Sequence, residues 1–136
     1  MFHCLLKLNT THVFLTGGRT GHGSDSAACF IYSTSTGFVR VMAMSTARGY
    51  HACSLHSDNL VFVAAGRTAT DIFTKTTEYF SLTTLDWQHG PDLPISTFGA
   101  KMITINSETL LIGGRGNKKI FKLQTSDNWK WVEVGK

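Results

Sequence analysis

Three arginines stand 48 residues apart, at Arg19, Arg67 and Arg115, each directly after a glycine that ends an apolar run. A guanidinium keeps its charge and forks a carboxylate with two parallel hydrogen bonds, so a repeated arginine suits an acidic peptide. Asn117 follows Arg115 by two positions, and Arg48 lies in a separate closing segment. Arg19, Arg67, Arg115, Asn117 and Arg48 are therefore the partner-binding candidates, weighed against the reading that such arginines only bond carbonyls of a neighbouring unit.

A second constellation is His51-Ala52-Cys53, which puts two soft ligands on one side of a strand, with His56 nearby. The matching positions one period later are Ala100 and Met102, and no further ligands stand at recognised spacing. His51 is read as structural and Cys53 as a buried thiol, and no metal or cofactor is expected. Serines, histidines and aspartates are plentiful, but none sits in a nucleophile elbow, so no catalytic residue is assigned and the chain is not read as an enzyme.

The elements that must position these residues recur with the arginines. Val13-Phe14-Leu15-Thr16, Leu60-Val61-Phe62-Val63 and Leu110-Leu111-Ile112 are short, near-continuous apolar runs, the pattern of inner strands covered on both faces. Glycine ends each run, with Ala65 as the single departure from a diglycine. Polar loops at 19–26, 67–76 and 115–118 lead to ring-bearing or apolar pairs, Ile31-Tyr32, Tyr79-Phe80 and Ile120-Phe121, and a further aromatic opens another strand at Phe38, Trp87 and Trp129. One more strand begins each unit, near Phe2, Tyr50 and Phe98, with Cys4, Cys53 and Met102 at matching places. A slot that accepts cysteine, cysteine and methionine reads as soft apolar packing. A period near 50 residues signals a stacked or radial architecture.

Bulk properties agree with a globular domain: 42% of residues are hydrophobic and 16% charged, which excludes a disordered chain. No apolar run reaches a membrane span, so no membrane association is expected. Residues 1 to 112 hold seven basic and seven acidic side chains, while 113 to 136 hold six and two. That terminal excess lacks the basic-aromatic interleaving of a nucleic-acid surface and reads as a solvated edge. Three cysteines, an odd number without close pairing, point to a reducing, cytoplasmic setting. Asn9-Thr10-Thr11 is an acceptor sequon that matters only in an exported chain.

The glycine exit, aromatic pair, tryptophan, and Arg48 with His51 three residues on resemble the kelch repeat across nearly the whole chain. The WD40 pattern fits less well, since its Gly-His opening is missing. The resemblance implies an all-β fold of kelch-type β-propeller blades: three four-stranded antiparallel blades forming an incomplete ring over 1–136, with blades at 2–49, 50–97 and 98–134. Such rings close with about six blades, so flanking blades of a longer product, a second copy or another protein would complete this one. It further implies a protein-interaction module, with substrate recognition in a ubiquitin-ligase adaptor as one setting. A structural blade set in a larger cytoskeletal or scaffold protein is the alternative, and a galactose-oxidase-like fragment a remote one.

Overall fold

The computed structural model describes residues 3–18, 26–69, 72–126 and 128–135. They contain strands and no helix, arranged as three four-stranded antiparallel sheets and a two-stranded ribbon, none closed into a barrel. Among them no helix is long and apolar enough to cross a membrane.

The first sheet takes its strands in chain order: β1 (Cys4–Lys7), β2 (Val13–Thr16), β3 (Cys29–Ser33) and β4 (Gly37–Val41). The second is built from β5 (Ala52–Ser57), β6 (Leu60–Ala64), β9 (Thr77–Ser81) and β10 (Trp87–His89), and the third from β11 (Lys101–Ile105), β12 (Glu108–Ile112), β13 (Ile120–Gln124) and β14 (Lys130–Gly135). The apolar runs form the second strand of each sheet, flanked on both sides. The edge strand β5 touches both β1 and β11, so the sheets meet along their opening strands. The expected polar loop at 67–76 instead contains the ribbon, β7 (Arg67–Ala69) paired with β8 (Ile72–Phe73).

Alternation along each strand sends side chains to two faces, and two cores fill the spaces between sheets. Phe14, Cys29 and Met44 of the first unit meet Val61, Val63 and Phe80 of the second. Phe62 and Ala64 on the opposite face of β6 meet Leu111, Phe121, Leu123 and Trp131 of the third sheet. Phe14 and Phe62 occupy equivalent places and are both fully buried, which stabilises each junction by roughly 2–3 kcal/mol per ring.

The exits from β2, β6 and β12 share one backbone. Gly18 donates to the carbonyl of Arg48 at 2.8 Å, and Gly66 donates to that of Thr97 at 2.9 Å. Ala65 takes the glycine's left-handed conformation, φ 62°, as Gly113 does at φ 77°. A side chain at Gly66 is impossible without movement, because a Cβ there would stand 2.7 Å from the Gly49 carbonyl oxygen.

The third sheet departs from the expected register by two residues. Phe62 pairs with Tyr79, but the equivalent Leu110 pairs with Lys122. The Tyr79-Phe80 place is therefore held by Lys122-Leu123, and Ile120-Phe121 precedes it. The same shift makes Trp131 the counterpart of Trp87 instead of Trp129. Trp87 donates its indole N–H to the Met42 carbonyl at 2.8 Å, and Trp131 donates to that of Pro91 at 3.1 Å.

The cysteine expectation is overturned. Cys4 and Cys53 form a disulfide joining β1 to β5, with Cα atoms 6.2 Å apart. The two are not equivalent as the sequence spacing implied: Cys4 opposes Thr16 and Cys53 opposes Val63, so the counterpart of Cys53 in the first sheet is Leu5. The two cysteines meet from facing sides of adjacent sheets in the shared core. Cys29 remains a free thiol, sealed in the core beside the Ala27 carbonyl, and burial pushes its pKa up to about 12. The bond is at odds with the reducing compartment inferred from the odd cysteine count.

Candidate partner-binding rim

Arg67 and Arg115 emerge on one rim because both follow a glycine exit from equivalent strands. Arg67 is tied by its backbone to Gly49, with N–H to O distances of 2.8 and 2.9 Å in the two directions. Arg115 donates its backbone N–H to the Phe98 carbonyl at 2.9 Å. These bonds seat each guanidinium over a ring: Arg67 lies 6.0 Å from the Tyr50 centroid and Arg115 lies 5.9 Å from that of Phe98. A cation over an aromatic face gains about 0.5–1 kcal/mol at a partly exposed site and loses torsional freedom.

The two seats touch. Tyr50 and Phe98 meet edge to face at 5.7 Å, and Phe73 from the ribbon packs on Phe98 at 4.6 Å. Ile72 beside it is exposed. The rim thus offers two held guanidiniums around an apolar ridge, a surface for carboxylates flanked by an apolar side chain. The rings were read from sequence only as the start of opening strands; the pairing of each with the arginine of its own unit was not.

The other candidates fare differently. Arg19 lies outside the described residues. Arg48, expected as a binding candidate, is fully buried and presents nothing to a partner. Its Nη1 donates to the carbonyls of Ala65 and Thr76 at 3.0 and 2.9 Å, and its Nη2 meets Glu78 Oε2 at 3.0 Å. Glu78 also accepts from the backbone of Ser45 at 2.8 Å and Thr46 at 3.2 Å, so the pair clamps the end of the first unit onto the second sheet. Burial lowers the Arg48 pKa, while Glu78 opposes that shift. Asn117 spends its amide on its own loop: Nδ2 donates to the carbonyls of Gly113 and Lys119, and Oδ1 accepts from the Lys119 backbone. It shapes a recess lined by Ile95, Gly116, Lys118 and Lys119 without offering free donors.

His51 and Cys53 do not act as a metal pair. Cys53 is in the disulfide, and His51 Nε2 bonds Thr16 Oγ1 at 2.6 Å across the first junction. Burial, then the charges of Arg48 and His3, push the His51 pKa down to about 3 against a small opposing effect from Thr16. His56 joins a hydroxyl chain through Thr109, Thr104 and Ser54 between the second and third sheets. Among the described residues no group of three His, Cys, Asp or Glu side chains could hold a metal ion.

No family model and no curated protein matches the chain. Among solved structures the chain is similar to YjhT, with a TM-score of 0.76 and 17% identity over 98% of this chain. The likeness extends to 50% of the YjhT chain, so this sequence spans about half of that protein's length, and at this identity what the two share is the fold.

Proposed function

We propose that the chain is a set of three kelch-type propeller blades serving as a protein-interaction module, and that its arginine rim takes an acidic peptide. The observation that carries the reading is the matched seating of Arg67 over Tyr50 and Arg115 over Phe98 on one rim. Repetition of a cation at a fixed spacing suits a repeated or extended acidic motif. Fold likeness over half of YjhT is in keeping with an arc that further blades complete. The disulfide weighs against a cytosolic ubiquitin-ligase adaptor, so the module is proposed without that setting.

The test is fluorescence polarisation with labelled acidic peptides carrying one apolar residue, at several salt concentrations. Arg67→Ala and Arg115→Ala are each expected to weaken binding by about tenfold, the loss of one charge-assisted bond, and to flatten the salt dependence. The stability of Arg115→Ala should fall by no more than the roughly 1 kcal/mol of a cation–π contact. A large fall in stability with binding unchanged would favour the alternative, a purely structural blade set. Arg48 supplies the observation behind that alternative, since an arginine of the same repeat is buried and spends both terminal nitrogens on bracing.

A further inference from the structure

The turn joining β1 to β2 carries Asn9-Thr10-Thr11, the one Asn-X-Ser/Thr tripeptide in the sequence. All three residues are exposed. The Asn9 carboxamide is held by its oxygen alone: Oδ1 accepts from the backbone N–H of Thr11 at 2.9 Å and of His12 at 2.9 Å. It also lies 3.0 Å from Thr11 Oγ1 and 3.2 Å from His12 Nδ1. The amide nitrogen Nδ2 donates to nothing among the described residues. This turn fixes the side chain through its acceptor and leaves its nitrogen accessible, with the threonine hydroxyl against the amide.

An independent observation concerns the compartment. The Cys4–Cys53 disulfide staples two sheets, and such bonds persist in oxidising lumens, where sequons are also read. Cys29, in the same core, remains a free thiol.

We propose that Asn9 is the acceptor of an N-linked oligosaccharide on a chain that matures in an oxidising secretory lumen. The donor is a polyprenyl-diphosphate-linked oligosaccharide. Asn9 Nδ2 forms a bond to the sugar's anomeric carbon, the bond from that carbon to the diphosphate oxygen breaks, and the lipid diphosphate leaves with the electron pair. The amide gives up one proton, and nothing is oxidised or reduced. The glycan sits on the rim opposite the arginines, because β2 runs from this turn to the glycine exit at Gly17. It leaves the Arg67 and Arg115 face open, so this inference does not depend on the peptide-binding reading.

The experiment directs the full 136-residue chain into the secretory pathway of a eukaryotic cell with a cleavable leader. Intact mass is read before and after peptide N-glycosidase, on secreted and lumen-retained chain alike. The expected result is one glycan, with conversion of Asn9 to Asp on enzymatic release. It is absent in Asn9→Gln and Thr11→Ala and kept in Thr11→Ser, which separates loss of the acceptor from loss of the fold. Alkylation without reductant should leave Cys4 and Cys53 unlabelled. Wild-type chain recovered with an unmodified Asn9, or with both of those thiols labelled, overturns the proposal.

Discussion

At His51 the repeat places an imidazole where water scarcely reaches, bonded to Thr16 and close to the Arg48 charge. Its pKa falls from about 6.5 in the unfolded chain to about 3 in the folded one. Between those values the unfolded chain binds a proton that the folded chain refuses. Stability from this group is therefore complete above pH about 6.5 and is lost as pH falls toward 3, at up to about 1.4 kcal/mol per pH unit. Urea midpoints measured between pH 6.5 and 5, above most carboxylate titration, should drop in the wild type and less in His51→Gln. Parallel lines for the two proteins would refute the placement. A structural role for His51 was legible, since the next unit carries alanine at the matching site. Thr16 was not, because nothing in the spacing selects one hydroxyl among many.

Between elements, the two junctions solve one problem with opposite chemistry. At the first, Arg48 and Glu78 form a fully buried ion pair. At the second, the place of Arg48 is taken by Thr97, which donates to the Arg115 carbonyl at 3.0 Å, and the place of Glu78 by Phe121 in the apolar core. This exchange could not be read while Phe121 was matched to Phe80. A slip of two residues keeps every side chain on its face, so hydrophobic patterning alone does not expose it. The shorter third loop made the sequence match look natural, whereas the ladder bonds fix the true register. If the pairs are alternative solutions, Arg48→Thr and Glu78→Phe should each cost about 3–5 kcal/mol, since either leaves a buried charge unpaired. The double variant should cost clearly less than their sum. Urea unfolding of the four proteins gives the coupling energy, and single costs that add within about 0.5 kcal/mol would refute equivalence.

For the whole molecule, the period of 48 made the three sheets legible, because glycine exits and apolar strands leave a local signature in each unit. The bond between Cys4 and Cys53 escaped that reading: it follows from how neighbouring sheets meet, and a parity count of cysteines treats positions as unrelated. The arc also ends in two open faces. Leu5 and Phe38 on the first sheet are 66% and 65% exposed, and Ile103, Ile105 and Ile112 on the third are 46%, 51% and 41% exposed. Inside the arc, equivalent positions are covered: Trp87, the counterpart of Phe38, is packed against Phe14 and Phe80. Apolar patches of this kind associate, yet both faces also carry exposed cations, Lys7 and Arg40 on one and Lys101 on the other. Like charge opposes contact between the faces of two copies, and salt screens it over about 10 Å at 0.1 M and about 3 Å at 1 M. The isolated chain should therefore self-associate more strongly as salt rises, the reverse of an assembly held by ion pairs. Phe38→Lys with Ile105→Lys should abolish that rise and leave the urea midpoint nearly unchanged, because neither side chain is buried within the arc. Sedimentation velocity at micromolar concentrations reads the outcome, and a wild-type chain that stays monomeric from 0.1 to 1 M salt would show that the open faces do not drive association.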